Sequence, residues 1–98
     1  MTKAETIAAI ESCSEQIRAL GATGLYLYGS ASRDELTAES DVDLFVDYDP
    51  AGPFSFVELI HLQDLVNARL NRDVDLTTRN GLHPLLKEEI ERSSVRIF

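Results

Sequence analysis

The residues with the most chemical content are Gly29-Ser30 and, after ten intervening residues, Asp41-Val42-Asp43. Gly29-Ser30 directly follows an apolar run, Leu25-Tyr26-Leu27-Tyr28, that reads as a strand. A strand ending in Gly-Ser offers a turn with free backbone N–H groups, suited to holding phosphate oxygens. Asp41 and Asp43 stand at i and i+2 of a second strand, so period-two alternation sends both carboxylates to one face. Hard divalent ions in nucleotide sites take one or two carboxylates and complete their shell with phosphate oxygens. The combination therefore suits Mg²⁺ and a nucleoside triphosphate, and implies phosphoryl or nucleotidyl transfer.

A third carboxylate from a neighbouring strand would hold a second ion or take a proton from the nucleophile. Asp75 is the candidate, because Asp73-Val74-Asp75-Leu76-Thr77 repeats the pattern of the second strand. Asp73 shares its face and is the fallback. Taken alone, Asp-x-Asp is most often a solvated strand face, and Gly-Ser a plain turn. Their succession, with a matching Val-Asp-Leu one helix later, is what points to a site.

The elements that must position these residues follow from periodicity. Ile7, Ile10, Cys13, Ile17 and Leu20 form a helical stripe from Lys3 to Leu20, closed by Gly21 as a C-terminal cap. Ala31 to Glu35 fits a short helix facing the Gly-Ser turn, and Leu36 to Ser40 a polar loop. Along Asp41 to Asp47, Val42, Leu44 and Val46 take one face while Asp41, Asp43, Phe45 and Asp47 take the other. Asp49-Pro50-Ala51-Gly52-Pro53 is a loop by composition. Ser55 and Glu58 have the spacing of a capping box for a helix to about Leu70, with Phe56, Leu59, Ile60, Val66 and Leu70 as its buried stripe. In the third strand Val74 and Leu76 face the core. Pro84 suits the first turn of a last helix ending near Ser93, and Val95 to Phe98 an edge strand or packed tail. The expected class is α/β (α+β): a small mixed sheet of three or four strands flanked by helices, in one domain spanning 1–98.

Bulk composition narrows the function. The 98 residues carry 9 Lys+Arg against 17 Asp+Glu, a formal net charge of −8. Such a surface repels nucleic-acid backbones, suits a basic protein partner, and makes metal ions necessary for receiving a triphosphate. No segment approaches the roughly 20 apolar residues of a membrane span. The N-terminus lacks the order of a secretory signal. The single cysteine, Cys13, leaves no intrachain disulfide or thiolate cluster. A cytoplasmic protein is expected.

Gly29-Ser30 and Asp41-Val42-Asp43-Leu44, at this spacing, resemble the signature of the DNA polymerase β-type nucleotidyltransferase superfamily. Within it, size and order resemble the minimal nucleotidyltransferase (MNT) antitoxins over nearly the whole chain. The resemblance implies a nucleotidyltransferase fold, two Mg²⁺, and transfer of a nucleoside monophosphate to a hydroxyl. In its terms Gly29 and Ser30 hold the triphosphate, Asp41 and Asp43 the metals, and Asp75 completes the triad as general base. Arg33 matches a frequent basic position that contacts phosphate. Two positions depart from the usual pattern: Ala31, where a basic or aromatic residue is frequent, and Asp34, where glycine is.

The resemblance also implies a partner, since MNT proteins pair with HEPN proteins, small helical ribonuclease toxins. They neutralise the toxin by binding it and, in some members, by adenylylating a tyrosine. The expectation is an AMP-transferring antitoxin using ATP, in a hetero-oligomer with a HEPN-type toxin. Two alternatives stand beside it: an antitoxin that only binds, and a small-molecule nucleotidyltransferase of the antibiotic-modifying type. His61 and His83 lie far apart and read as surface or structural residues. Tyr26 and Tyr28 read as strand packing, and Asp47, Asp49, Glu88, Glu89 and Glu91 as solvated acidic faces.

Overall fold

Alternation of apolar residues along three strands decides the architecture. The computed structural model describes residues 2–33 and 41–98. Asp34 and Glu35, expected to end a short helix, and the loop expected over Leu36 to Ser40 lie outside the described residues. The element order is α1 (Lys3–Glu11), α2 (Ser14–Ala19), β1 (Ala22–Tyr28), a 3-10 helix (Gly29–Arg33), β2 (Val42–Tyr48), α3 (Phe56–Leu70), β3 (Val74–Thr78), a 3-10 helix (Arg79–Gly81), α4 (Lys87–Ser93) and β4 (Val95–Arg96). The strands form one sheet in the order β3-β2-β1-β4. β2 pairs antiparallel with β1 and parallel with β3, and β1 pairs antiparallel with β4. The mixed, helix-flanked sheet expected from sequence is the one observed. No helix of the described residues is long and apolar enough to cross a membrane.

One face of this sheet is the core. Leu25 and Leu27 of β1, Val42, Leu44 and Val46 of β2, and Val74 and Leu76 of β3 are buried there. Ile10, Cys13 and Ile17 from the first helices and Leu62, Val66 and Leu70 from α3 close over them in one cluster. Burying such side chains stabilises the fold by roughly 1.5–3 kcal/mol each. The opposite face carries Tyr26, Tyr28, Asp43, Phe45, Asp47, Asp75 and Thr77, as period two requires.

The expected single helix from Lys3 to Leu20 is two helices. Ser12 ends the first, with its hydroxyl turned back onto the Ala9 carbonyl, and the Cys13 thiol donates to the Ile10 carbonyl at 3.2 Å. These side-chain bonds offer the backbone a local alternative to continuing the helix. The apolar stripe is nevertheless kept, since Ile10, Cys13 and Ile17 all reach the core. Gly21, at φ +112°, takes the positive φ expected of it at the helix end.

Helix α3 begins at the expected residue for a different reason. Ser55 is its N-cap, but the Ser55 hydroxyl donates to the Glu58 carboxylate at 2.8 Å and makes no capping bond to the backbone. A complete capping box instead starts α1, where the Glu5 N–H donates to Thr2 Oγ1 at 3.1 Å and the Thr2 N–H to Glu5 Oε1 at 2.9 Å. The buried stripe of α3 also differs from the expected one. Leu62, Val66 and Leu70 are buried with Leu59 partly so, whereas Phe56 is 73% and Ile60 45% exposed. Ile60 lies one residue out of the Leu59-Leu62-Val66-Leu70 row, about 100° around a helix of 3.6 residues per turn. Phe56 opens the first turn.

The two stripes make opposite forecasts. Leu62→Ala should lower the unfolding free energy in urea by about 2–5 kcal/mol, and Phe56→Ala by less than about 0.5 kcal/mol. A larger loss at Phe56 than at Leu62 would reverse the orientation of α3.

Candidate functional site

Strand register gathers the sequence candidates into one row on the open face. Tyr28 of β1 stands opposite Asp43 of β2, and Asp43 opposite Asp75 of β3. The next row is Tyr26, Phe45 and Thr77. Asp75 rather than Asp73 therefore shares a row with Asp43, because parallel pairing puts Val42 against Val74 and each following pair in step. Asp41, exposed, immediately precedes β2, and the Val42 N–H donates to the Asp73 carbonyl at 3.1 Å. That bond starts the parallel ladder at the level of the site.

The turn after β1 is built to approach these carboxylates. Gly29 has φ +71°, in the left-handed region that favours glycine. A Cβ at this position would overlap Asp43 Oδ2. Glycine thus supplies both the conformation and the clearance that bring backbone against the carboxylate. The turn is held from below: the buried Ser32 hydroxyl donates to the Gly29 carbonyl at 2.7 Å, and Ala31, 1% exposed, packs into the core. A larger side chain at Ala31 would have to displace core atoms. Ser30 is half-buried beside Gly29, and Arg33 is exposed at the end of the 3-10 helix. Asp34 lies outside the described residues.

Electrostatics separates two aspartates of the same strand face. Burial, then the charge of Asp75, then that of Asp41, push Asp43 above the ordinary carboxylate range. Asp47, four residues on, is held below it, chiefly by hydrogen bonding from Arg79. Tyr28 is pushed up to about 12 by burial and by the negative charges of Asp43 and Asp75. Its phenol stays protonated at neutral pH.

Arg79 escaped sequence reasoning. Its Nε and Nη2 donate to the two Asp47 oxygens at 2.7 and 2.8 Å, and its Nη1 to Glu91 Oε2 at 2.6 Å. The guanidinium lies 4.9 Å from the ring centroids of both Tyr26 and Phe45. Those rings stack at 4.7 Å with planes 7° apart. Asp47 and Glu91 are consequently ion-paired rather than free solvated charges, and Phe45 is fully buried on the open face of the sheet. The available signal was Asp47 on the same face as Asp43; its partner is 32 residues away in sequence.

Among the described residues, no three Asp, Glu, His or Cys side chains are gathered closely enough to hold a metal ion on their own. The donor set fits a divalent cation in a different sense. Asp43 and Asp75 face each other across paired strands, Asp41 adds to the repulsion on Asp43, and the Gly29 clearance opens onto an Asp43 oxygen. Carboxylate oxygens are the ligands that Mg²⁺ prefers, one or two of them commonly sufficing beside phosphate.

Comparison with known proteins identifies the family and the fold. The family described as Polymerase beta, Nucleotidyltransferase matches residues 8–98. A Methanocaldococcus jannaschii protein with the provisional name protein adenylyltransferase is 38% identical over 72 residues, 72% of this chain and 71% of its own. A solved structure provisionally named a minimal nucleotidyltransferase superposes with a TM-score of 0.83 at 25% identity, covering 97% of this chain and 95% of its own. The fold is shared with a toxin–antitoxin solved with AMP-PNP, at TM-score 0.70 and 21% identity over 90% of this chain and 72% of that one. It is shared also with a chain from the complex of a tri-AMPylated Shewanella oneidensis HEPN toxin and its MNT antitoxin, at TM-score 0.64 and 19% identity over 94% and 71%.

The opposed shifts of Asp43 and Asp47 give opposite pH signatures. Asp43 has a folded pKa above its unfolded one, so its ionisation opposes folding increasingly as pH rises through the folded value. Asp43→Asn in metal-free protein should therefore melt higher than the parent at neutral pH, with the difference shrinking on acidification. Asp47 has a folded pKa below its unfolded one, so its stabilisation is present above the ordinary value and lost as pH falls through the folded one. Arg79→Met should cost about 1 kcal/mol at neutral pH, allowing for partial exposure, and less in acid. Thermal melts from neutral to acidic pH check both; an Asp43→Asn protein that melts lower throughout would remove the repulsion from this account.

Proposed function

The chain belongs to the polymerase β nucleotidyltransferase family, and on that premise we propose that it transfers AMP from ATP to a tyrosine hydroxyl of a small helical HEPN-type toxin, acting as the antitoxin of the pair. The observation that carries this is the row in which Asp43 and Asp75 face each other beside the Gly29 turn. Support for the acceptor class comes from relatives named as protein adenylyltransferases and from a fold neighbour seen beside a tri-AMPylated HEPN toxin. Support for the donor comes from a fold neighbour solved with AMP-PNP. The net charge of −8 suits a basic partner and disfavours nucleic acid as one. Residues 1–98 act as a single minimal nucleotidyltransferase domain, in the cytoplasm where ATP is available.

In this assignment the backbone N–H groups of Gly29 and Ser30 would hold the triphosphate, and Arg33 would contact phosphate from the end of the same turn. Asp41, Asp43 and Asp75 would hold two Mg²⁺. When bound, the ions neutralise phosphate charge and stabilise the attacking and leaving oxygens. Asp75, at the exposed edge of the row, takes the proton of the acceptor phenol, whose ordinary pKa is about 10. The phenolic oxygen attacks the α-phosphorus in line, and pyrophosphate leaves.

The test is incubation of the purified chain with Mg²⁺, α-labelled ATP and its co-encoded neighbour, followed by intact-mass measurement. The neighbour should gain one or more AMP masses. Asp41→Asn and Asp43→Asn, facing away from the core, should fold normally and lower transfer about a hundredfold or more, since even outer partners of metal ligands are worth 10–100-fold. A neighbour that copurifies unmodified would replace transfer with binding alone. If no neighbour binds, a small-molecule acceptor takes its place.

A further inference from the structure

The chain has three tyrosines, and they are engaged differently. Tyr26 lies flat on Phe45, and its hydroxyl helps hold the Asp47 carboxyl below its ordinary value. Tyr48 stacks on Phe54, with ring centroids 5.0 Å apart, at the far end of β2. Tyr28 is tilted 47° against Phe45 at 5.9 Å, and among the described residues no hydrogen bond engages its hydroxyl. It is half-buried, directly opposite Asp43, and immediately before Gly29. Both Asp43 and Asp75 bear on its phenol electrostatically.

Packing does not account for that hydroxyl. A phenylalanine ring would fill the same space against Phe45, without placing an O–H among carboxylates that burial and like charge already strain. A phenol beside the phosphate turn, the metal-binding carboxylates and the assigned base has the chemistry of the proposed acceptor, within the chain itself.

We propose that Tyr28 is an acceptor of AMP: in the absence of the partner the chain transfers AMP from ATP onto its own Tyr28 Oη. This rests on the adenylyltransferase assignment above. The phenolic oxygen forms a bond to the α-phosphorus, the bond from that phosphorus to the α,β-bridging oxygen breaks, and pyrophosphate leaves. The phenol proton passes to the Asp75 carboxylate. The product is a phosphodiester that lays the adenylate over the carboxylate row beside Gly29. That occupation closes the site to a second ATP, so a chain without a partner silences itself.

The purified chain, without any partner, is incubated with Mg²⁺ and ATP at several protein concentrations and read by intact mass and peptide fragmentation. One AMP mass is expected on Tyr28, at a rate per molecule independent of protein concentration, and none on Tyr28→Phe. Fragmentation of the unsubstituted chain separates Tyr28 from Tyr26, so the assignment does not depend on the variant folding. The modified chain, separated by its added negative charge, should bind ATP at least tenfold more weakly in calorimetry. AMP found only elsewhere, a rate that rises with protein concentration, or unchanged ATP affinity would overturn the inference. So would an unmodified chain that still modifies its partner, and this outcome leaves the function above standing. Modification of neither protein would overturn both.

Discussion

Two like charges held opposite each other across a parallel strand pair set the terms for the rest of the molecule. Asp43 and Asp75 occupy one level of the β2–β3 ladder, and nothing in their own interaction favours that placement. What holds them is the apolar alternation on the other face, where Val42, Leu44, Val74 and Leu76 are buried in step with one another. A one-residue slip would exchange the two faces, burying carboxylates and exposing the core, so register is enforced by the hydrophobic side. Stability on one face thereby supports strain on the other, as sites built for chemistry commonly require.

The open face is polarised along its length. At one end carboxylates accumulate beside a glycine turn, where Asp75 and Asp41 add their charge to the burial that raises Asp43. At the other, Arg79 forks onto Asp47, reaches Glu91 and caps the Tyr26–Phe45 stack. The same residue type on the same strand therefore has opposite acidity four positions apart. Arg79 also ties α4 to the sheet, a connection that matters because α4 buries no residue of its own. The aromatic row between the two ends separates the compensated charge from the uncompensated one.

What was legible in the sequence is what period two and short spacing control. The strands, the open face, the Gly29-Ser30 turn and the alignment of Asp75 with the Asp-x-Asp strand all follow from local pattern. The break at Ser12 was not legible, because the apolar stripe continues through it while side-chain bonds decide the backbone. The face of α3 was misjudged by Phe56 and Ile60, whose apolarity says nothing about which way the helix turns when it meets the sheet. Capping boxes at Thr2 and Ser55 have equivalent spacing, yet only the first closes; at Ser55 the carboxylate and hydroxyl choose each other. Arg79 was invisible because its partners are assembled only by the tertiary fold.

The sheet order places β3 at an edge, with no further strand paired to it among the described residues. An unpaired edge offers its backbone groups to strands of other molecules, and natural sheets discourage this with charge. Here the deterrent is Asp75, exposed on the edge strand itself, and Asp73, exposed immediately before it. The carboxylate assigned as the base therefore has a second duty, keeping a small sheet from recruiting its neighbours into aggregates. Any evolutionary drift that retired the chemistry by replacing Asp75 with an apolar residue would also weaken the barrier that keeps copies of the protein apart.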